Sequence, residues 1–122
     1  MNTMINVEWV KNPDNNQWFD LLRLNLESSY FQNKEGIYVI WYASPSEAKV
    51  IRVGQGIIGE RLKEHRNNFQ ITQYSQYGQL KVTWAIINKA YLNGVETYLF
   101  NYYKPLVGER APTVIPISVN PL

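Results

Sequence analysis

Residues 36–66 read GIYVIWYASPSEAKVIRVGQGIIGERLKEHR. Ile37–Tyr42 is a run of β-branched and aromatic residues with no alternation of polar and apolar positions. Such a run predicts a strand buried on both faces. Ser44-Pro45-Ser46-Glu47 has turn chemistry, and Lys49–Val53 predicts a second strand. The connection is too short for a crossover, so the two strands form an antiparallel hairpin. Gly54–Gly59 then predicts a glycine-rich loop. A helix follows over about 57–67, with Ile58 and Leu62 on its inner side. Arg61 and His65 are four apart and share one face of that helix.

Outward from this stretch the elements are shorter. Asn33-Lys34-Glu35-Gly36 predicts a turn. Upstream, Asp14 is placed to cap a helix over about 15–26, with Trp18, Leu21, Leu22 and Asn25 at helical spacing. A short strand is expected at Asn6–Val10. Downstream, residues 69–79 are polar and aromatic with few charges and predict a loop. Leu80–Asn88 predicts a third strand, and a helix runs from near Gly94 to about Tyr103, stopped by Pro105. The tail carries Pro112, Pro116 and Pro121 and is expected to be extended. This order predicts an α/β (α+β) fold with a small central three-stranded sheet flanked by helices. Residues 1–34 form a strand/helix extension packed on the domain, 35–110 the domain itself, and 111–122 a Pro-rich tail.

The chain has 122 residues, 45% of them hydrophobic and 18% charged, which bounds it to one globular domain. It has no cysteine, which excludes disulfides, thiolate nucleophiles and Cys-based metal sites, and one histidine, which excludes multi-His metal sites. No apolar run approaches the roughly 18 residues of a membrane span, and the N-terminus lacks a secretion signal, so a cytoplasmic protein is expected. The formal net charge is +2. Residues 47–66 hold Lys49, Arg52, Arg61, Lys63 and Arg66 against Glu47, Glu60 and Glu64, so the whole excess lies in this stretch. On charge alone it is either a local anion-facing patch or a solvated helix face of mixed charge, and not a nucleic-acid-coating surface.

Gly54-Gln55-Gly56-Ile57-Ile58-Gly59 matches the G-x-G-x-x-G pattern of dinucleotide-binding folds. That reading is rejected: no Asp or Glu lies between Glu64 and Glu96 to hold a ribose, and too few elements follow for a doubly wound sheet. Backbone N–H groups at a helix N-terminus still favour a phosphate. Glu96 has two readings. It can sit three residues after a capping Asn93 in a capping box, or it can be a lone carboxylate for Mg²⁺ or Mn²⁺, ions that need only one or two protein carboxylates.

Gly36-Ile37-Tyr38 at one strand start, Arg52-Val53-Gly54 in the next strand, Arg61 and His65 on the following helix, Glu96 on the last helix and Lys104-Pro105-Leu106 at its end form an ordered set. In this set, over about residues 35–110, the chain resembles the GIY-YIG nuclease superfamily. The resemblance implies that Tyr38 acts on the attacking water and that His65 orients Tyr38. It further implies that Arg61 holds the scissile phosphate and Glu96 the metal, with Gly54 as the second motif's glycine. Two positions depart from the pattern: the second motif's tyrosine is Arg52, and the asparagine expected beyond the last helix falls at Gly108.

The implied activity is metal-dependent hydrolysis of DNA phosphodiester bonds, with Mg²⁺ or Mn²⁺ on Glu96. Arg52, Gly54 and Lys63 complete the phosphate contacts, Arg52 by bidentate guanidinium bonds. To work as a base near neutral pH, Tyr38 needs its pKa lowered by nearby cations, which the basic stretch supplies, or a relay through His65. One site cuts one strand, so a homodimer is one way to cut two. The departures at Arg52 and Gly108 motivate an alternative, a catalytically impaired relative that binds nucleic acid or a protein partner without cleavage. If the partner is a protein, Tyr74, Tyr77 and Trp84 are candidates for an aromatic contact patch, against ordinary core and loop packing.

Overall fold

The structure, a computed structural model, describes residues 4–108 and 112–122. In chain order it comprises β1 (Phe19–Asp20), β2 (Glu35–Ala43), β3 (Ala48–Ile57), α1 (Ile58–Arg66), α2 (Phe69–Thr72), β4 (Gln79–Ile86) and α3 (Leu92–Tyr103). Single 3₁₀ turns lie at Ser29–Phe31, Gln73–Gln76 and Lys89–Tyr91. The strands form one four-stranded sheet in the order β1-β4-β2-β3, with every neighbouring pair antiparallel. The fold is α+β. The boundary expected between 110 and 111 lies outside the described residues.

β2 is the central strand, and Ile37–Tyr42 are all buried, as the unbroken apolar run predicts. Its side chains alternate between two cores. Tyr38, Ile40 and Tyr42 pack with Ile58 and Leu62 of α1 and with Trp84. Ile37, Val39 and Trp41 pack with Val95 and Leu99 of α3. The sheet is thus sandwiched between α1 and α3. Gly36 allows β4 to approach here, because a Cβ on it would lie 2.1 Å from the Ala85 carbonyl oxygen.

The hairpin forms as predicted, but β3 runs further than Val53. It stays paired through Gly56↔Gly36 and Ile57↔Glu35, so the expected glycine-rich loop at 54–59 is mostly strand. An irregularity between Ile40 and Trp41 shifts the register, with Ile40 facing Arg52 and Trp41 facing Val50. Such bulges bend an edge strand and re-aim its side chains. β3 is a sheet edge. Leu106 and Val107 donate backbone bonds to Val50 and Ile51 and cover its first half, whereas the stretch from Arg52 onward is where the candidate site lies.

The predicted helix at 15–26 does not form, and the predicted three-stranded sheet gains a fourth strand from within it. Phe19 and Asp20 pair with Val82 and Lys81. Short polar side chains explain the loss. Asn12, Asn15, Asp20 and Asn25 each accept a bond from the backbone N–H two residues on, as does Ser28. These local bonds compete with helical ones. Arg66 takes the Leu21 carbonyl through Nε and Nη2, at 3.0 and 2.7 Å, and also the Leu24 carbonyl.

The strand expected at Asn6–Val10 is extended chain without a ladder. Ile5 makes one parallel bridge to Val119. Val7 N–H and C=O both bond to the Asn120 side-chain amide, at 2.6 and 3.0 Å. The tail, which turns tightly at Pro112–Val114, is thereby zipped to the N-terminal segment at Ser118–Asn120, with Val119 fully buried. The predicted loop at 69–79 is instead helical over Phe69–Gln76, with the Asn68 side chain capping Gln70 N–H at 2.9 Å.

Candidate active site at the open edge of the sheet

Tyr38 stands in the middle of β2 with only 1% of its surface exposed. Its hydroxyl lies 2.5 Å from Nε2 of His65, itself buried on the inner face of α1. The shared face predicted for Arg61 and His65 is therefore half inward: His65 reaches Tyr38 and Arg61 stays exposed. Gly54 is the register partner of Tyr38, and a Cβ on it would lie 2.2 Å from the hydroxyl oxygen. Gly54, expected at the phosphate, is buried beneath Tyr38, and what it supplies is room for the phenol.

Arg52 follows the bulge and lies against Gly108. A Cβ at Gly108, which has φ +125°, would come 3.1 Å from one terminal nitrogen of Arg52. The two departures from the family pattern are thus in contact: the missing side chain at 108 leaves space for the guanidinium. Nε of Arg52 is buried without a partner among the described residues. Arg52, Gln70, Gln73, Glu96, Phe100 and Gly108 line a cleft of about 740 Å³ between β3, α2, α3 and the chain beyond α3. Arg61 crosses Gly56, where φ is +136° and a Cβ would lie 2.8 Å from Arg61 Nε. Its only ionic contact among the described residues is an exposed 3.2 Å pair with Glu64, which holds it weakly.

Lys63 does not join this group. Its Nζ pairs with Glu27 of the N-terminal segment at 2.7 Å.

Glu96 is not part of a capping box. α3 begins at Leu92 without a side-chain cap, and Asn88 caps the preceding 3₁₀ turn instead. Asn93 and Glu96 both accept hydrogen bonds from Nε2 of Gln55, at 2.6 and 2.7 Å. Sequence reading missed Gln55 because it placed 54–59 in a loop. Strand alternation carried one step past Gly54 turns Gln55 to the α3 side.

Burial pushes the Tyr38 phenol above its ordinary 10.0, and the charges of Arg52 and Arg61 only partly oppose this. The expected lowering by cations is overturned, because desolvation of the phenolate outweighs them. The Glu96 charge also reaches the phenol, so Arg52, Arg61 and Glu96 all act on one hydroxyl. His65 is pushed down from 6.5 to about 4, first by burial, then by Arg52, with Arg61 adding and Glu64 opposing. The imidazole is therefore neutral at neutral pH. With its proton on Nδ1, Nε2 accepts from the Tyr38 hydroxyl.

Among the described residues no three of His, Cys, Asp and Glu are grouped to hold a metal ion. A cation here would rest on Glu96 as its one carboxylate. That donor chemistry fits a hard, mostly hydrated ion such as Mg²⁺ or Mn²⁺. The Gln55 bond uses one of about four acceptor positions on the carboxylate.

The chain matches no protein-family model, no curated protein sequence and no solved structure. No helix among the described residues is long and apolar enough to cross a membrane.

Proposed function

We propose that this chain is a GIY-YIG-type endonuclease that hydrolyses DNA phosphodiester bonds with Mg²⁺ or Mn²⁺. The observation that carries the reading is the buried Tyr38–His65 contact, with two arginines and one glutamate acting on the same hydroxyl. Arg52 and Arg61 hold the scissile phosphate. A water oxygen attacks phosphorus and gives its proton to the Tyr38 oxygen, while the Tyr38 proton moves to Nε2 of His65. The P–O3′ bond breaks, the O3′ takes a proton from solvent, and 5′-phosphate and 3′-hydroxyl ends result. Glu96 would hold the metal ion, whose charge would help neutralise the leaving oxygen.

The resting site opposes this proton relay, because the arginines and burial disfavour imidazolium. A bound phosphate offsets the charges of both arginines but not the burial, so His65 becomes a better base than in the resting site when substrate is present. The same resting opposition favours the second reading, a relative that binds nucleic acid or a protein partner without cutting.

The test is cleavage of labelled plasmid, branched and single-stranded DNA with Mg²⁺ or Mn²⁺. Wild type is expected to cut, and Glu96→Ala and Tyr38→Phe to lose at least about 100-fold. Salt-dependent binding by a wild type that never cuts selects the second reading.

A further inference from the structure

We propose that Gln55 is the positioning residue that holds Glu96 ready for the cation; this rests on the metal-dependent reading above. Gln55 lies on β3 opposite Ile37, on the face that packs against α3. Its Nε2 is 2.7 Å from Glu96 Oε1 and 2.6 Å from Asn93 Oδ1. Chemistry fixes the orientation of all three groups. A carboxylate only accepts, so the Gln55 atom facing it is the nitrogen. The Asn93 atom facing that same nitrogen must then be its oxygen. Both N–H bonds of one amide are thus spent on neighbours three residues apart on α3.

A free glutamate side chain samples many rotamers, and ordering it costs free energy when a ligand binds. Gln55 orders Glu96 beforehand and leaves most of its acceptor capacity open. Polar partners behind a metal ligand commonly change affinity or activity by about 10–100-fold when removed. The rival role is a plain staple between β3 and α3. A staple would change thermal stability and leave the affinity for the cation alone.

The experiment measures Mn²⁺ binding to the full chain without DNA, by the electron paramagnetic resonance signal of free Mn²⁺, and then cleavage against Mn²⁺ concentration. Gln55→Leu is expected to bind Mn²⁺ at least about 10-fold more weakly, with cleavage at saturating Mn²⁺ close to wild type. Asn93→Ala removes only the second anchor and is expected to weaken binding less, in the same direction. Wild-type Mn²⁺ affinity in a folded Gln55→Leu chain overturns the role of Gln55 while leaving the Glu96 reading intact. Should Gln55→Leu fail to fold by circular dichroism, wild-type affinity in Asn93→Ala overturns it instead. Mn²⁺ binding that is absent in wild type, or unaffected by Glu96→Ala, overturns the metal reading and this inference together.

Discussion

Arg66 and Arg52 show how the N-terminal wrap and the cleft differ. Arg66, at the end of α1, spends its guanidinium on the carbonyls of Leu21 and Leu24. Arg52, on β3, keeps a buried Nε with no partner among the described residues. Both belong to the basic stretch at 47–66, and charge alone does not separate them. A saturated guanidinium is scaffold. Arg52 bears on the Tyr38 hydroxyl yet leaves its buried Nε unpaired, and that nitrogen is suited to a ligand that brings the missing acceptor.

The largest expected effect breaks the scaffold side of this contrast. Arg66→Ala removes charge-assisted bonds to two carbonyls and should lower stability by about 4 kcal/mol, at roughly 1.5–3 kcal/mol for each carbonyl. A urea midpoint measures the loss, and cleavage per folded molecule should be unchanged. A stability like wild type would show that the N-terminal wrap stays docked without this arginine.

The next effect is pH dependence. His65 has its folded pKa lowered to about 4 from 6.5. Between these values the unfolded chain binds a proton that the folded chain does not. Stability is therefore full above about pH 6.5 and lost as pH falls toward 4, by about 3 kcal/mol in all. His65→Asn should remove most of this fall when urea midpoints at pH 7 and pH 4.5 are compared with wild type. An unchanged fall in the variant would mean that other groups carry it.

The third effect sharpens the ligand side. Arg52→Ala should lower kcat/KM for DNA by about 30-fold, the equivalent of about 2 kcal/mol, with stability held or slightly raised. Gly108→Ala should weaken DNA binding only while Arg52 is present, because its added Cβ meets that side chain. Lys63→Ala, with its partner Glu27 on the surface, is the control and should change binding less than twofold. Equal losses from Arg52→Ala and Lys63→Ala would reduce the cleft to general surface charge.

Legibility in the sequence followed the density of apolar signal. The hairpin and α1 are encoded locally: an unbroken β-branched run, a Ser-Pro turn and helical spacing of Ile58 and Leu62 agree with one another. Residues 15–26 carry the spacing of a helix too, yet the side chains of Asn15, Asp20 and Asn25 bond the local backbone, and Arg66 claims two of the segment's carbonyls. That competitor stands about forty residues away in sequence (an interval no periodicity window spans). At the site, the pairing of Tyr38 with His65 was implied by the resemblance, whereas Gly54 beneath the phenol follows from a strand register that the sequence did not disclose. The packing of Arg52 on Gly108, the Gln55 fork and the pairing of Lys63 with Glu27 were not disclosed there either.

The sequence by itself determined the class of fold, the central buried strand, the hairpin and the confinement of surplus positive charge to one stretch. These follow from side-chain periodicity and composition, which are local properties of the chain. Tertiary structure alone decided which arginine is scaffold and which faces the cleft, that Tyr38 is pushed up and His65 down, and that a fourth strand is added at one edge of the sheet. Those outcomes depend on desolvation and on partners far apart in sequence, and both come into being only when the chain is packed.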